Sequence, residues 1–396
     1  MRRLDNRERR ARLAVRHHLA PKARASDVER IAGDLVGLHG SDPATVFMSA
    51  AARLKKPDGA VAALERALYD ERTLVRTLCM RRTMFVVPLD LVPIVQAACT
   101  DALVPGERKR LVQMIEAGGI AADGARWLRK VEAATVTALD ELGEAVAGDL
   151  TKRVPGLRKQ LSFGEGKNWA GTVGLSTRVL FLLAAEQRVA RGRPRGSWTS
   201  SQYRWSPMTT WLPQGVREVP TDIARGELLR RWLATYGPAT TNDVKWWTGW
   251  TVAQTKVALT AVGAVEVELE DGTGWVLPGD DQPTTAPGPW VALLPGLDST
   301  TMGWKDRAWY LGAHGPALFD RNGNAGPTVW VEGRVVGAWT QRKDGALVFE
   351  LLEDVSHAAR TRVARAVSDL EGWLGEVRVT PRFPTPLQKA LASGGG

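Results

Sequence analysis

A repeated order of helices followed by a strand hairpin constrains the fold of this 396-residue chain more than any other feature. In the first copy, apolar residues in ASDVERIAGDLVGL recur at helical spacing, and TLVRTLCMRRTMFVVP then predicts two short strands joined by a tight basic turn. A second copy begins near residue 127, and a third near residue 226 ends in AVEVELEDGTGWVLPG, whose Asp-Gly pair predicts a hairpin. Helices followed by a two-stranded ribbon are typical of a winged helix. The sequence therefore predicts three winged-helix units in series.

The last third of the chain has a different character. It is rich in Val, Trp and Gly and has turn signals at Glu332-Gly333 and Asp344-Gly345, which predict a small antiparallel sheet or barrel. HAARTRVARAVSDLEGWLG predicts a final amphipathic helix that covers the sheet. The predicted fold class is thus α+β. We expect winged-helix units at residues 1–118, 119–218 and 219–283, and a β domain with a closing helix at residues 284–396.

Composition indicates a folded protein with more than one core. The chain is 44% hydrophobic and 24% charged, which excludes a disordered protein. No apolar run reaches ~18 residues, so we expect no membrane span. MRRLDNRERRARLAVRHHL is charged where a signal peptide is apolar. We therefore expect a cytoplasmic protein associated with the nucleoid.

The sequence contains no pattern for a metal or a cofactor. Cys79 and Cys99 are its two cysteines, without the paired Cys/His spacing of a zinc site, and we expect both to be core side chains. It has no phosphate-binding glycine loop and no Ser-His-Asp order. We therefore expect neither a metal nor a cofactor.

The charge of the chain predicts a polyanionic partner. Its net charge is +10, and RVARGRPRGSWTSSQYRW holds five arginines and no acid among aromatic and hydroxyl side chains. Such a mixture supplies phosphate contacts and flat apolar surface for nucleic acid, although a solvated basic loop has the same composition. The candidate DNA contacts are Arg76, Arg81, Arg82, Arg191, Arg193, Arg195 and Ser197. We also expect His17 and His18, on the basic first helix, to face solvent or phosphate.

A polar cluster interrupts the apolar segment LVGLHGSDPATVF. Ser41 or Asp42 would make a natural N-cap for the next helix, with Pro43 in its first turn. His39 could close the preceding helix, where an imidazole suits the negative end of the dipole. Alternatively, His39, Ser41 and Asp42 form a catalytic centre.

Seven stretches together resemble landmarks of the AlkZ/YcaQ-like winged-helix DNA glycosylases. They are LVGLHGSDP, RTLCMRRTMFVVP, WAGTVGLSTRVLFLL, RGRPRGSWTSSQYRW, LATYGPATTNDVKWW, LLPGLDSTTMGWKDR and VEGRVVGAW. The resemblance implies a monomeric, monofunctional glycosylase that removes guanines alkylated on the imidazole-ring nitrogen from double-stranded DNA. Its substrates would include bulky natural-product adducts and, in some members, interstrand crosslinks. The implied role is DNA repair or self-resistance of a genotoxin producer.

The catalytic turn departs from the family pattern. Known members have two glutamines, or a glutamine and an aspartate, around an apolar residue to hold the attacking water, whereas the matching positions here are His39, Gly40 and Ser41. A neutral His39, with an unperturbed pKa of ~6.5, could accept a proton from that water. Ser41 could orient the water, and Asp42 could place negative charge near the developing cation. The alternative is a DNA-binding regulator or lesion binder that has lost the chemistry.

The landmark LDSTTMGWKDR holds a second charged cluster, Asp298, Asp306 and Arg307. Such a cluster is more often a structural ion pair than a catalytic group. We expect these residues to stabilise the fold.

Overall fold

The computed structural model describes residues 1–163 and 171–394 and combines helices with small antiparallel sheets, as the sequence predicts. Trp169 and Ala170, which begin the landmark WAGTVGLSTRVLFLL, lie outside the described residues. In the described parts of the chain, no single helix is long and apolar enough to cross a membrane, although the pair Leu89–Thr100 and Val104–Ala117, bent by 64°, passes that test together.

The first unit contains the predicted helices and hairpin. Its elements are α1 Asn6–Arg16, α2 Val28–Asp34, β1 Leu38–His39, α3 Pro43–Ala51, α4 Ala60–Glu65, β2 Leu74–Leu78, β3 Met84–Pro88 and α5 Val92–Val95. α2 begins at Val28 because the Asp27 carboxylate accepts the backbone N–H of Arg30. Cys79 and Cys99 are both buried, in line with a core role.

His39 does not close the preceding helix, which was one of the two alternatives that the sequence left open for it. α2 ends at Asp34, and the chain reverses at Gly37, whose φ of +107° favours glycine and whose N–H donates to the Ala32 carbonyl at 2.7 Å. His39 then lies in β1 and pairs with Phe85 of β3. The turn after α2 is therefore attached to a sheet.

The second unit has its own core and two small sheets. Its elements are α6 Val104–Ala117, α7 Gly124–Leu142, β4 Ala145–Val146, α8 Ala147–Arg153, β5 Gln160–Phe163, β6 Gly171–Gly174, α9 Leu175–Ala185, β7 Val189–Pro194 and β8 Tyr203–Pro207. Leucines and valines of α7 and α9, including Leu128, Leu139 and Val179, are buried together in that core. The basic stretch of the sequence forms the hairpin of β7 and β8.

The third unit repeats this order in fewer residues. Its elements are α10 Thr221–Tyr236, α11 Thr241–Thr248, α12 Val252–Ala261, β9 Val265–Leu269 and β10 Gly272–Val276. Thr240 caps α11, because its hydroxyl accepts the Asp243 N–H while the Asp243 carboxylate accepts the N–H of Thr240. Thr241 and Asn242 are the first two residues of the helix.

The strand pairing repeats in all three units. The sheet orders are β1-β3-β2 in the first and β4-β8-β7 in the second. In the third, Ala239 bridges to Trp275 in β10, which pairs with β9. In each unit, an extended segment that follows one or two helices and precedes two more thus pairs with the last strand of the hairpin. The interpretation of the units as winged helices stays a prediction.

The C-terminal part is an antiparallel sheet with helices packed on it. Its elements are β11 Val291–Leu294, α13 Ala308–Leu311, α14 Gly315–Leu318, β12 Thr328–Val331, β13 Arg334–Gln341, β14 Leu347–Leu351, α15 His357–Leu374 and α16 Pro386–Ala392. The described strands pair in sequence order, β11-β12-β13-β14, as an open sheet. α15, the predicted closing helix, contacts β11 and β14.

One hydrophobic core crosses the predicted domain boundaries. It contains Leu13 of α1, Trp232 of α10 and Trp330 of β12 together. At the N-terminus, the Leu4 N–H also donates to the Glu268 carbonyl of β9 at 2.9 Å. The first unit, the third unit and the C-terminal sheet therefore pack as one body, and the division at residues 118, 218 and 283 stays a prediction.

The expected exposure of His17 and His18 is wrong. His17 is fully buried, with Nδ1 2.8 Å from the Thr300 hydroxyl and its ring stacked on Trp304. His18 is buried too, with Nε2 2.8 Å from the Asp34 carboxylate. Both imidazoles therefore serve the packing of α1 against other parts of the fold.

Candidate active site and nucleic-acid interface

A pocket of about 460 Å³ opens beside the turn after α2. Three parts of the chain contribute to its wall: the first unit, α11 and the segment between β11 and β12. The side chains that carry its charge, hydrogen-bonding capacity and flat surface include His39, Arg81, Trp246, Lys305, Arg307 and Asn324. The pocket therefore exists only when the units are packed together.

Ser299 fixes the backbone of the turn. Its hydroxyl accepts the N–H of His39 at 3.2 Å and donates to the Gly37 carbonyl at 3.1 Å. The His39 ring packs against Phe85, with ring centroids 5.2 Å apart. Within the described residues its Nδ1 is buried without a hydrogen-bond partner. The imidazole is thus held by packing, and its hydrogen-bonding capacity is not used by the fold.

Burial keeps His39 neutral. Burial, together with the positive charge of Arg81, lowers the pKa of the imidazole to about 3, against a smaller opposing effect of the Asp298 carboxylate. A neutral imidazole has one N–H donor and one acceptor nitrogen. Because efficient proton removal requires a pKa near the working pH, this histidine is better suited to orienting a water molecule than to deprotonating it.

Two arginines pack on one tryptophan in the pocket wall. The guanidinium of Arg81 lies 3.9 Å from the Trp246 ring centroid, and that of Arg307 lies 5.1 Å from it. Arg81 reaches this position from a left-handed backbone, with φ of 52°. Burial and the charge of Arg307 lower the pKa of Arg81 to about 10, which leaves Arg81 charged at neutral pH. Neither arginine forms an ion pair with a carboxylate of the described residues.

The pocket wall is cationic. Lys305 joins the two arginines, and none of the described residues that line the pocket is acidic. Thr83, Asn322 and Asn324 add neutral hydrogen-bonding groups. Such a wall favours a polyanion such as the DNA backbone. Among the described residues, no group of three His, Cys, Asp or Glu side chains could hold a metal ion.

Asp42 is the N-cap of α3. Its Oδ1 accepts the Ala44 N–H at 3.0 Å, and its Oδ2 accepts the Arg382 N–H at 3.2 Å. Burial raises the pKa of this carboxyl against the effect of those hydrogen bonds. Asp42 lines a separate cavity of about 40 Å³ beside Trp339. The structure therefore does not bring its carboxylate into the pocket of His39.

Ser41 lies between these two environments. It is half-buried, and its carbonyl accepts the Arg382 Nη1 at 3.1 Å. The preceding carbonyl, that of Gly40, accepts the Arg76 Nη1 at 2.6 Å. Two arginines thus bind the backbone of the turn.

Of the other candidate DNA contacts, Arg191 packs over the Tyr203 and Trp205 rings, and the remaining four fall into two groups. Arg82 and Arg193 are neutralised: Arg82 pairs with Glu107 at 2.9 Å, and Arg193 pairs with Asp70 at 2.9 Å. Arg195 and Ser197 are exposed in the loop between β7 and β8. Paired arginines have less free charge for DNA, whereas the loop offers its side chains to solvent.

Sequence reasoning identified the charged landmark after β11 but missed its effect on the turn. Asp298 forms the expected structural ion pair, with Arg53, at 2.7 Å. Asp306 accepts hydrogen bonds from Thr240 and Asn242 at the start of α11. The neighbouring Ser299, which holds the turn, carries no signal of its own, since a serine between an aspartate and a threonine is ordinary loop composition.

Comparisons with known proteins agree with this architecture. The family described as DNA glycosylase AlkZ-like matches residues 32–373. The Streptomyces sahachiroi DNA glycosylase AlkZ has a similar solved structure, with a TM-score of 0.69 and 22% identity over 93% of this chain and 98% of that chain. At that identity the similarity shows a shared fold. A search of curated proteins found no match.

Proposed function

This chain belongs to the AlkZ-like DNA glycosylase family, and we propose that it hydrolyses the N-glycosidic bond of guanine alkylated on an imidazole-ring nitrogen in double-stranded DNA. Membership of the family makes it a DNA glycosylase that acts on DNA. The finer proposal concerns the lesion and the residues. It is supported above all by His39, a buried neutral imidazole in the wall of a cationic pocket.

The proposed reaction needs a well-placed water more than a strong base. Alkylation leaves the guanine cationic, so the glycosidic bond is already weak and the transition state resembles an oxocarbenium ion. The water oxygen attacks C1′, the C1′–N9 electron pair returns to the base, and the departing guanine becomes neutral, while the water that has bonded to C1′ releases one proton to solvent and remains as the hydroxyl. Orienting that water lowers the entropic part of the barrier. A neutral His39 that accepts a hydrogen bond from the water would replace the amide oxygen of a glutamine.

The charged groups of the pocket have a separate task in this proposal. Arg81, Lys305 and Arg307 contact phosphates that flank the lesion. These contacts would set the position of the sugar relative to His39, and they would make DNA affinity fall with salt.

Ser41 and Asp42 act differently from His39 in this proposal. Ser41 orients the same water or a nearby phosphate through its hydroxyl. Asp42 already uses both carboxylate oxygens, on the N–H groups of Ala44 and Arg382, so we assign it to shaping the turn. Asp42 thus caps α3 and does not place its negative charge near the sugar.

The repeated strand pairing supports tandem winged helices as the DNA-binding framework. In this proposal a monomer encloses the duplex with its three units and releases the base without cutting the strand. Bulky adducts and interstrand crosslinks are proposed substrates, and repair or self-resistance on the nucleoid in the cytoplasm is the proposed role.

A lesion panel tests the proposal. Duplexes with 7-methylguanine, a bulky N7 adduct or an N7–N7 crosslink are incubated with the chain, and released base is measured above the spontaneous rate. We expect abasic sites, with strand breaks only after alkali treatment. Tight binding without release from any duplex would instead favour the non-catalytic DNA-binding protein.

A further inference from the structure

Three arginines meet beside the catalytic turn, outside the pocket of His39. Arg76 and Arg191 lie over the Tyr203 ring, with guanidinium carbons 4.8 and 5.5 Å from its centroid. Arg382 comes from the C-terminal segment, and its charge acts on Arg191. We call Arg76, Arg191 and Arg382 the arginine cluster.

The arginine cluster has no counterion of its own. None of its members pairs with a carboxylate of the described residues. Burial and the neighbouring charges of Arg76 and Arg382 lower the pKa of Arg191 to about 10. Asp42 is near, but it accepts backbone N–H groups, and burial raises its pKa. The folded chain therefore concentrates positive charge here without neutralising it, which is unfavourable unless a ligand supplies an anion.

Unused hydrogen-bond donors point to the same conclusion. Arg76 is 1% exposed, and its Nε and Nη2 have no hydrogen-bond partner in the described structure. The Tyr203 hydroxyl is also buried without a partner there. Buried donors are normally satisfied. Unsatisfied guanidinium and phenol groups beside the half-buried Arg191 and the exposed Arg382 favour an anion with several oxygens, such as a phosphate.

Exposure divides the roles within the cluster. Arg382 is exposed and Arg191 is half-buried, so both can touch a ligand from solvent. Arg76 supplies charge from within the protein. We propose that the arginine cluster is a phosphate site that holds one phosphodiester of the DNA backbone beside the lesion; this rests on the proposed function.

The cluster also couples that phosphate to the catalytic turn. Arg76 donates to the Gly40 carbonyl and Arg382 to the Ser41 carbonyl, on the two residues that follow His39. A phosphate that orders these guanidiniums orders the turn. Arg191 and Arg382 are therefore positioning residues, and their loss lowers the rate of base release from bound DNA as well as affinity.

Neutral phosphates test this coupling. In a series of lesion duplexes, one backbone phosphate at a time is replaced by a neutral methylphosphonate. Base release from each duplex is measured under single-turnover conditions at saturating enzyme. At one position we expect the parent rate to fall by about tenfold, the effect of one charge-assisted contact. With Arg191→Gln or Arg382→Gln, the same methylphosphonate should cause no further loss. Arg360→Gln, at an exposed arginine of α15, should respond as the parent does. Additive losses at every position would overturn the coupling.

A second measurement needs no base release, so it separates this proposal from the proposed function. For undamaged duplex, the negative slope of log affinity against log salt should become shallower by about 0.9 in Arg191→Gln than in Arg360→Gln, because one phosphate contact is lost. An unchanged slope would overturn the backbone assignment. If inorganic phosphate raises the Tm of the parent but not of Arg191→Gln while the slopes agree, the cluster binds free phosphate and not DNA.

Discussion

Arg53 and Arg76 are buried arginines of the same unit, and their surroundings are opposite. Arg53 is 0% exposed and binds the Asp298 carboxylate through two nitrogens, at 2.7 and 2.8 Å. Its remaining donors reach the carbonyls of His17 and Ser49 and the hydroxyl of Thr300. All the N–H groups of its guanidinium therefore donate to other residues of the protein.

Arg76 uses almost none of its hydrogen-bonding capacity within the folded protein. It is 1% exposed and makes one hydrogen bond, to the Gly40 carbonyl. No carboxylate of the described residues pairs with it. The comparison shows that Arg53, whose charge is neutralised by Asp298, joins the units of this molecule. Arg76, whose charge is not neutralised, lies where we expect an anionic ligand.

The two arginines act on the same turn from different sides. Asp298, the partner of Arg53, precedes Ser299, whose hydroxyl accepts the His39 N–H. Arg76 binds the carbonyl of Gly40, the residue after His39. The position of His39 therefore depends on both.

Removing the partner of Arg53 should have the largest effect. Asp298→Asn leaves a buried arginine without its counterion and should lower the free energy of unfolding by about 3–5 kcal/mol. Denaturant unfolding measures this loss. The control is Asp58→Asn, at an exposed aspartate, which should change stability by less than about 0.5 kcal/mol. Equal unfolding midpoints for the two variants would remove the distinction between paired and unpaired charge.

Ser299→Ala should have the next largest effect. It leaves the buried His39 N–H unpaired, which should cost about 1–3 kcal/mol of stability. Because the turn loses its anchor, base release should slow as well. Urea unfolding and single-turnover kinetics provide the two readouts, and Ser356→Ala, at the N-cap of α15, serves as a control that should leave the rate unchanged. A stable Ser299→Ala enzyme with the parent rate would contradict the anchoring role.

A pH titration should sharpen the comparison, because Arg81, another unpaired cation, helps to keep His39 neutral. The folded pKa of about 3 lies below the unfolded value of 6.5, so the contribution of His39 to stability is fully present above pH 6.5 and is lost as pH falls. Between pH 7 and pH 5, the parent should lose about 2 kcal/mol more than His39→Gln. Base release should show no inflection near pH 6.5. Parallel stability curves for parent and variant would contradict the buried neutral state.

Arg76→Met should have the smallest effect on stability. Loss of the hydrogen bond to Gly40 is offset by removal of an unneutralised buried charge, so the change should stay within about 1 kcal/mol. The matched substitution Arg53→Met, measured by the same unfolding assay, should cost as much as Asp298→Asn. Similar losses at the two positions would show that the two environments are energetically alike.

Local elements were predictable from local sequence. Asp271-Gly272 marks the β9–β10 hairpin, and Asp42 before Pro43 marks the start of α3, because turns and caps depend on a few adjacent residues. The polar interruption at His39 likewise marked the turn. These features need no information from distant parts of the chain.

The environment of the turn was not predictable in the same way. His17 looked exposed on a basic helix, yet Trp304 and Thr300, nearly 300 positions later, bury it. The pKa of His39 is low because packing of distant segments excludes water from its ring. Pattern and spacing along the sequence do not specify which loops from different units meet.

The most direct test of the account is base release by His39 variants under single-turnover conditions, on the duplex of the lesion panel that the parent processes fastest. His39→Ala should lower the rate by about 10²-fold or more, because the water loses the acceptor that orients it, while DNA affinity stays at the parent value. His39→Gln should keep most of the rate, since an amide oxygen also accepts a hydrogen bond from water. A rate for His39→Ala equal to that of the parent, at equal DNA occupancy, would contradict the central claim.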